Sequence, residues 1–404
     1  MRSPCFRAPA TRPFAQATFS APSTRRPALT ATAAASATRA TDGVFCRGYA
    51  FQAPGQPVYA VFNRRTKWLQ KERAAADVEA SRQADYLKDE VAMRLCERLV
   101  DIKRTFPRVL DFGANSCNIA RALVRPDPDP AQPASPPLAT RVDHLLAAES
   151  SPTLLFRDAD LPFNSQGLDI TRHVLSLEEE EGAIGGGPPQ EGEVGVPTDP
   201  EAAAAAAAAA TSPLVPGSFD LVLSSLSLHW TNNLPGVLAQ IKRLLKPDAP
   251  FLGAMLGGDT LFELRTSLQL AEQERRGGLS PHMSPLADVR DVGGLLQRAG
   301  FSMLTVDVDD IVVDYPDTFA LMADLQAMGE SNAVLGREMG ALGRDLLLAN
   351  DAIYRALHGH PDGTIPATFR IIYMIGWHPS ATNEPKSLPR GSGQINLKDV
   401  LERK

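Results

Sequence analysis

The sequence lacks the features that mark several common classes of protein. Its four cysteines show no Cys-x-x-Cys spacing, which argues against both a disulfide framework and a zinc site. No apolar run approaches the ~18 residues of a membrane-spanning helix. The formal net charge is −6, with 41 basic against 47 acidic residues, whereas binding to nucleic acid needs a surplus of Lys and Arg. We therefore expect no nucleic-acid partner and no transmembrane segment.

Acidic residues are also missing from the first 41 positions. That stretch holds six arginines, eleven Ser or Thr and twelve Ala, and the first acidic residue is Asp42. An Arg-rich, Ser-rich and acid-free composition is typical of an organelle transit peptide, and the stretch lacks the apolar core of a secretory signal. The composition predicts a mitochondrial transit peptide at 1–41, with a basic tail that targets nothing as the alternative.

Residues 42–104 are predicted to form an N-terminal helical segment. Apolar residues recur between positions 58 and 104 in an interrupted helical stripe. The basic cluster near the start of that stripe predicts a solvent-exposed face, with partner binding as the alternative. The cluster consists of Arg64, Arg65, Lys67, Lys71 and Arg73.

A different pattern begins after Pro107. Continuous apolar runs alternate with helical patterns, which indicates a mostly parallel sheet covered by helices on both faces. The sequence thus predicts an α/β domain at 105–378. Its first five strands are predicted at 108–113, 142–149, 173–177, 219–226 and 250–256.

The chain after the fifth strand adds further elements to this domain. Thr260 and Glu263 have the spacing of a capping box, which predicts the start of a helix that runs to about Arg276. Residues 303–314 predict two strands joined tightly at Asp309-Asp310. Residues 368–377 predict a last strand.

Three stretches have compositions that do not fill a core. Six prolines fall within 126–137, and residues 178–217 combine a Glu run, three successive glycines and nine successive alanines. Both stretches are predicted to be disordered insertions in the α/β domain. Residues 379–404 are polar and are predicted to form a loose C-terminal tail.

Acidic residues follow three successive predicted strands, and ligands of open parallel sheets bind beyond such strand ends. Asp111 and Gly113 end the first strand. Glu149 ends the second, where a carboxylate can accept hydrogen bonds from both ribose hydroxyls. Glu178 begins a Glu run after the third, where an adenine amino group can be met. Each alone is usually a turn former or a helix cap, but the combination indicates a nucleoside ligand.

The residues after Asp111 narrow the class of ligand. Neither GxGxxG nor GxxxxGK[ST] follows, which argues against dinucleotides and nucleoside triphosphates. S-adenosylmethionine is the remaining common ligand of this architecture, and it needs no phosphate-binding loop. We therefore expect S-adenosylmethionine as the cofactor, with Asp111, Gly113, Glu149 and Glu178 as its binding residues.

Short motifs of the chain resemble the signature of class I S-adenosylmethionine-dependent methyltransferases. These motifs are Asp111-Phe-Gly113, Phe219-Asp220-Leu-Val and Leu245-Lys-Pro-Asp248. The resemblance implies a Rossmann-like class I methyltransferase fold with a mostly parallel seven-stranded sheet.

Longer strings resemble one family closely, the mitochondrial complex I assembly factors of the arginine-hydroxylase type. The resemblance covers about 58–378 apart from the two insertions, and its longest strings are at 61–75, 224–248, 253–285 and 366–377. It implies a protein of the mitochondrial matrix that acts on an arginine of a peripheral-arm subunit of complex I. Its partners would be that subunit and assembly intermediates, and peripheral attachment to the matrix face of the inner membrane stays open.

The chain departs from the methyltransferase pattern in one place. Further glycines usually follow Asp-x-Gly, whereas this chain continues Ala-Asn115-Ser-Cys117. Asn115 tolerates a left-handed backbone, so the turn can form. Cys117 adds a side chain where close contact with the cofactor is expected. Two other hypotheses therefore stay open: a methyltransferase acting on a carboxylate or small molecule, and an assembly chaperone without catalysis.

His229 is the candidate catalytic residue. It follows the fourth predicted strand, in a segment that lies beside the reactive end of the cofactor in this architecture, where it could take a proton from the acceptor. A packed or helix-capping histidine is the alternative. The chain has one His-x-Asp pair, His360-Pro-Asp362, but the Gly and Pro around it indicate a loop, so we expect no 2-His-1-carboxylate iron centre and predict no metal site.

Overall fold

The computed structural model describes residues 6–7, 60–125, 137–175, 214–336 and 342–380. The predicted transit peptide, both predicted insertions and the predicted tail lie outside these residues, wholly or for the most part. All the described residues belong to one compact unit.

The strands of this unit form one sheet. They are β1 Phe6–Arg7, β2 Phe106–Phe112, β3 Val142–Glu149, β4 Asp169–Val174, β5 Leu221–Ser225, β6 Pro250–Leu256, β7 Ser302–Tyr315 and β8 Ile365–Trp377. Across the sheet they lie in the order β1-β7-β8-β6-β5-β2-β3-β4.

Strands β2 to β6 pair in parallel, and β8 is antiparallel to both of its neighbours, β6 and β7. Strands β3 and β4 lie on one side of β2, whereas β5 and β6 lie on the other, so the strand order reverses between β2 and β5. The predicted α/β fold with a mostly parallel seven-stranded sheet, β2–β8, is confirmed. The two-residue β1 adds an eighth strand beside β7.

Helices pack against both faces of the sheet. Val109 and Leu110 are neighbours on β2, so they point to opposite faces, and they belong to separate clusters of buried apolar side chains. No helix within the described ranges is long and apolar enough to span a membrane. These ranges contain α1 Arg64–Ala76, α2 Val78–Gln83, α3 Tyr86–Val100, α4 Asn118–Val124, α5 Pro152–Phe156, α6 Leu234–Leu244, α7 Phe262–Arg276, α8 Val289–Ala299, α9 Thr318–Ala327 and α10 Arg344–His358.

Strand β7 is continuous, so the prediction of two strands joined at Asp309-Asp310 is wrong. Asp310 lies opposite Arg370 in the ladder between β7 and β8. The Arg370 side chain pairs with Asp310 at 2.8 Å, and Arg94 of α3 pairs with Asp309. These arginines neutralise two successive aspartates, which usually favour turns, and so the extended backbone is kept.

The predicted capping box is also wrong, although α7 ends at Arg276 as expected. The helix begins after Leu261, which has a φ of 52° and no side chain that can accept a capping hydrogen bond. The Thr260 hydroxyl donates instead to a backbone carbonyl of β8 at 3.0 Å. The Glu263 carboxylate accepts from the backbone N–H and the hydroxyl of Thr368. Both capping side chains are therefore used to join α7 to the sheet.

Candidate functional site

Asp111 lies at the carboxyl end of β2, where the strand order reverses, opposite Leu223 of β5. Its side chain is fully buried, and neither carboxyl oxygen has a hydrogen-bond partner among the described residues. Burial raises the pKa of this carboxyl well above its ordinary value, and the nearby Glu149 carboxylate raises it further. Burial thus favours the neutral carboxyl, and no neighbouring group among the described residues donates a hydrogen bond to either oxygen.

The turn after Asp111 keeps the required backbone without the usual glycines. Gly113, Asn115 and Cys117 all have positive φ, at 79°, 50° and 62°. The Asn115 side chain donates to the carbonyl oxygens of Gly113 and Ser225, at 3.2 and 3.0 Å, and so ties the turn to the end of β5. Cys117 is buried in one of the two apolar clusters, and its thiol packs there as a small apolar group.

Glu149 ends β3 and is as buried as Asp111, but donors surround it. Lys71 Nζ donates to its carboxylate at 2.8 Å and the Asn115 backbone N–H at 3.1 Å. Ser150 adds its backbone N–H and its hydroxyl, both at 2.8 Å. Burial opposes ionisation, but the Lys71 ammonium and the Ser150 hydrogen bonds outweigh it and lower the pKa of Glu149. This carboxylate therefore stays charged.

Two lysines of α1 are buried, so the prediction of a fully exposed basic cluster is wrong for them. Lys67 and Lys71 are four residues apart and share one face of the helix. They are 7% and 8% exposed, whereas the three arginines of the cluster are exposed. Their ammonium groups pair with Glu330 at 3.3 Å and with Glu149 at 2.8 Å. Helix α1 therefore places two buried lysine side chains beyond the carboxyl ends of the strands.

Glu330 follows α9 and brings together three donors. Its Oε2 accepts from Lys67 Nζ at 3.3 Å, from His229 Nε2 at 3.2 Å and from Trp230 Nε1 at 2.5 Å. Burial opposes ionisation of Glu330, but Lys67 and His229 hold its pKa well below the ordinary value. We call Lys67, His229, Trp230 and Glu330 the Glu330 cluster.

His229 lies in the single turn Leu228–Trp230 that follows β5. Burial lowers its pKa below the ordinary value although Glu330 acts in the opposite direction, so the imidazole is neutral at pH 7. A carboxylate only accepts, which assigns the ring proton to Nε2. Nδ1 is then the acceptor nitrogen, and it has no partner within the described part of the chain. The predicted histidine is thus both packed and equipped to accept a proton.

A cavity of about 280 Å³ reaches the Glu330 cluster through the side chains of His229, Trp230 and Glu330. Apolar side chains form most of its remaining walls, and those from α7, α9 and β8 are Leu264, Leu268, Met322, Leu325 and Phe369. Ligand pockets commonly combine apolar walls with a few convergent polar groups. This cavity is accordingly the candidate substrate site.

The predicted site residues fall into two groups. Asp111, Gly113 and Glu149 meet where the strand order reverses, and His229 belongs to the Glu330 cluster. Sequence reasoning missed Glu330, whose partners on α1 and after β5 are far away along the chain. Glu178 lies outside the described residues. Within the described ranges, no group of three or more His, Cys, Asp or Glu is arranged to hold a metal ion.

The residues at the switch point fit S-adenosylmethionine. Four buried oxygens there lack a hydrogen-bond partner, namely both Asp111 carboxyl oxygens, Asn115 Oδ1 and Ser225 Oγ. Buried polar atoms are normally satisfied, so unsatisfied acceptors on adjacent strand ends indicate a missing donor. The ammonium group of S-adenosylmethionine has three N–H groups that can donate to these oxygens.

Comparisons with known proteins agree with this fold. A family model for a methyltransferase domain matches residues 82–306. The malonyl-[acyl-carrier protein] O-methyltransferase of Laribacter hongkongensis is 39% identical over 169 residues, which are 42% of this chain and 54% of that protein. That match is confined to part of both chains.

Two other relatives match over most of their length. The mitochondrial arginine-hydroxylase NDUFAF5 of Danio rerio is 40% identical over 340 residues, which cover 84% of this chain and 89% of the relative. The human protein of the same name is 40% identical over 342 residues, covering 84% and 83%. The chain therefore belongs to the mitochondrial arginine-hydroxylase family, which carries a methyltransferase domain.

Proposed function

We propose that this protein acts in the mitochondrial matrix, where it hydroxylates an arginine of a peripheral-arm subunit of complex I during assembly. The observation that carries the proposal is the match to proteins named arginine-hydroxylases, which spans 84% of this chain and 89% of the relative from Danio rerio. That match is longer than the methyltransferase domain alone, which spans residues 82–306.

The chemistry requires partners beyond the side chains described. Hydroxylation replaces one C–H hydrogen of the arginine by a hydroxyl group. With dioxygen as the oxidant, the second oxygen atom leaves as water, which consumes two electrons and two protons from a reductant. The chain's own contribution is to enclose the arginine in the apolar cavity and to offer His229 Nδ1 as a proton acceptor.

The cofactor residues are part of the same proposal. Asp111 and Ser225 would accept hydrogen bonds from the ammonium group of S-adenosylmethionine, because their buried oxygens lack donors. Glu149 Oε2 accepts only from the Asn115 N–H and can also accept from a ribose hydroxyl. S-adenosylmethionine itself supplies an electrophilic methyl group in methyltransferases, and the methyltransferase domain is the reason to expect it here.

A mass measurement on complex I peptides tests the function. In cells that lack this protein, we expect complex I assembly to fail and one arginine peptide of a peripheral-arm subunit to be lighter by one oxygen. A peptide lighter by one methylene would indicate a methyltransferase instead. Failed assembly with unchanged peptide masses would indicate a chaperone without catalysis.

Rescue with variants then tests the catalytic residue. We expect His229→Ala to leave the peptide unmodified, because alanine removes the proton acceptor. The matched control is His144→Ala. This histidine lies near the start of β3, away from the cavity, and the variant should restore the modification fully. Full restoration by His229→Ala would remove His229 from the mechanism.

Calorimetry tests the cofactor. We expect the purified protein to bind S-adenosylmethionine, and Glu149→Ala to weaken binding by ~1–3 kcal/mol, because the cofactor loses a buried acceptor. A folded wild-type sample that shows no binding at millimolar ligand would contradict the cofactor assignment and favour the chaperone hypothesis.

A further inference from the structure

The Glu330 cluster contains a complete binding site for an organic cation, and a side chain of the protein occupies it. Lys67 Nζ donates to the Gly329 carbonyl oxygen at 2.7 Å and to Glu330 Oε2 at 3.3 Å. The same nitrogen lies 3.4 Å from the centroid of the Trp230 ring. A carboxylate, a carbonyl and an aromatic face are the three kinds of group that bind cations in proteins.

This site borders the candidate substrate cavity. Trp230 and Glu330 both line the cavity, and Glu330 is the one acidic side chain among the described residues that form its walls. The adjacent lining cation, Lys88, is used elsewhere, because its Nζ donates to the Met328 carbonyl oxygen at 2.9 Å. A cation entering the cavity would therefore find a single carboxylate, the one that Lys67 now holds.

Lys67 holds this position weakly as a cation. Burial lowers its pKa to about 7, and the positive charges of Lys71 and Lys88 act in the same direction against the attraction of Glu330. Near neutral pH the amine is therefore only partly protonated. Glu330, by contrast, stays ionised, so its charge is available to a stronger cation.

We propose that Glu330 and Trp230 recognise the guanidinium group of the target arginine, and that Lys67 is an internal cation displaced when the substrate enters. This inference rests on the proposed function for its choice of cation. A guanidinium is less strongly hydrated than an ammonium, stacks on aromatic rings and donates two parallel hydrogen bonds to a carboxylate. It therefore uses Trp230 and Glu330 more fully than Lys67 does.

A capped Gly-Arg-Gly tripeptide and its citrulline counterpart provide the probe, because citrulline has nearly the same shape without the charge. By calorimetry with the full-length wild-type protein, we expect the arginine peptide to bind at least about tenfold more tightly than the citrulline peptide. Equal affinity for the two peptides would overturn the proposal. This comparison needs no variant, so it does not depend on whether a substitution folds.

The pH dependence of the same binding tests the displacement. A lysine displaced into water regains its ordinary pKa of ~10.4, so near neutral pH it takes up a proton when arginine binds. Affinity should therefore be highest below pH 7 and fall as pH rises above it, by up to about tenfold per unit. Groups that face Lys67 are Glu330, Lys71 and Lys88, and His229 reaches it through Glu330. The fall should vanish in Lys67→Met, and a fall that persists in that variant would contradict displacement.

A pair of matched substitutions tests the carboxylate. Glu330→Gln should abolish the preference for arginine over citrulline, whereas Glu90→Gln, on the outer part of α3, should preserve it. Thermal unfolding followed by circular dichroism confirms that each variant is folded. If Glu330→Gln retains the wild-type preference, Glu330 is not the recognition residue.

Two further outcomes separate this inference from the proposed function. If arginine binding depends on Glu330 but no peptide mass changes in cells, the proposed hydroxylase function is contradicted and the proposed recognition of arginine is supported. If the peptide loses one oxygen in cells that lack the protein, but arginine binding does not depend on Glu330, only the proposed recognition by Glu330 is contradicted. If Glu330→Gln instead weakens S-adenosylmethionine but not S-adenosylhomocysteine, the site binds the sulfonium cation and the arginine assignment is wrong.

Discussion

Asp111 and Glu149 end neighbouring strands and are equally buried, yet their surroundings are opposite. Among the described residues Asp111 has no hydrogen-bond partner, and its pKa is raised, whereas Glu149 has a lysine, three backbone N–H groups and a serine hydroxyl, and its pKa is lowered. Burial alone would have made both carboxyls neutral. The comparison shows that the donors supplied by α1 and by the turns decide which of the two carries charge.

The same comparison separates stability from binding. Glu149 joins α1 to the sheet and so contributes to the fold, whereas Asp111 contributes two unsatisfied oxygens. Buried polar groups without partners destabilise a protein and persist where function requires them. Asp111 is therefore the stronger candidate for a purely ligand-binding role.

Removing Glu149 should have the largest effect. Glu149→Ala leaves the buried Lys71 ammonium without its counter-ion, and we expect a loss of ~3–5 kcal/mol in the free energy of unfolding. Urea denaturation measures it. The control is Asp143→Ala, an exposed aspartate on the same strand, which should stay within ~0.5 kcal/mol of wild type. A loss as small as that of the control would show that the Lys71–Glu149 pair does not hold α1.

Asp111→Asn should instead change how stability depends on pH. Above the ~3.9 pKa of an unfolded aspartate, the native Asp111 keeps a proton that the unfolded chain has lost. Wild-type stability then falls as pH rises, by ~1.4 kcal/mol per unit until the raised native pKa is reached. The asparagine does not titrate, so in urea denaturation the stability of the variant relative to wild type should increase as pH rises above ~4. Parallel stability curves for the two proteins would mean that Asp111 is ionised.

Ser150→Ala should have the smallest effect. It removes one neutral hydroxyl donor from Glu149 and leaves Lys71 and the three backbone N–H groups in place. We expect a loss of ~0.5–1.5 kcal/mol in the free energy of unfolding, because one hydrogen bond of several is lost. A loss as large as that of Glu149→Ala would show that the serine, rather than the lysine, keeps the carboxylate charged.

Much of the fold and half of the site follow from local patterns. The apolar runs placed β2, β3, β5 and β6, whereas the strand predicted at 173–177 begins and ends earlier, at Asp169–Val174. The rule that ligands bind at the strand ends brought Asp111, Gly113 and Glu149 together. Asn115 and Cys117 adopt the left-handed backbone that glycine would otherwise provide. At these positions the local sequence and the folded structure favour the same backbone conformation.

The rest depended on contacts between distant parts of the chain. Lys67 looked like a surface lysine because Glu330, which pairs with it, lies 263 residues away. Thr260 and Glu263 looked like a capping box because their partners on β8 were not visible locally. Asp309 and Asp310 looked like a turn until Arg94 and Arg370 paired with them. Each error arose where a polar side chain found a distant partner that outweighed its local preference.

The burial of two lysines on α1 has a consequence for the order in which the protein folds. A chain is made from its N-terminus, so α1 appears early, but Glu149 follows Lys71 by 78 residues and Glu330 follows Lys67 by 263. Until then both ammonium groups are better solvated in water than inside the protein. The pairing of both buried lysines therefore requires the chain through residue 330, and we expect α1 to dock late in folding.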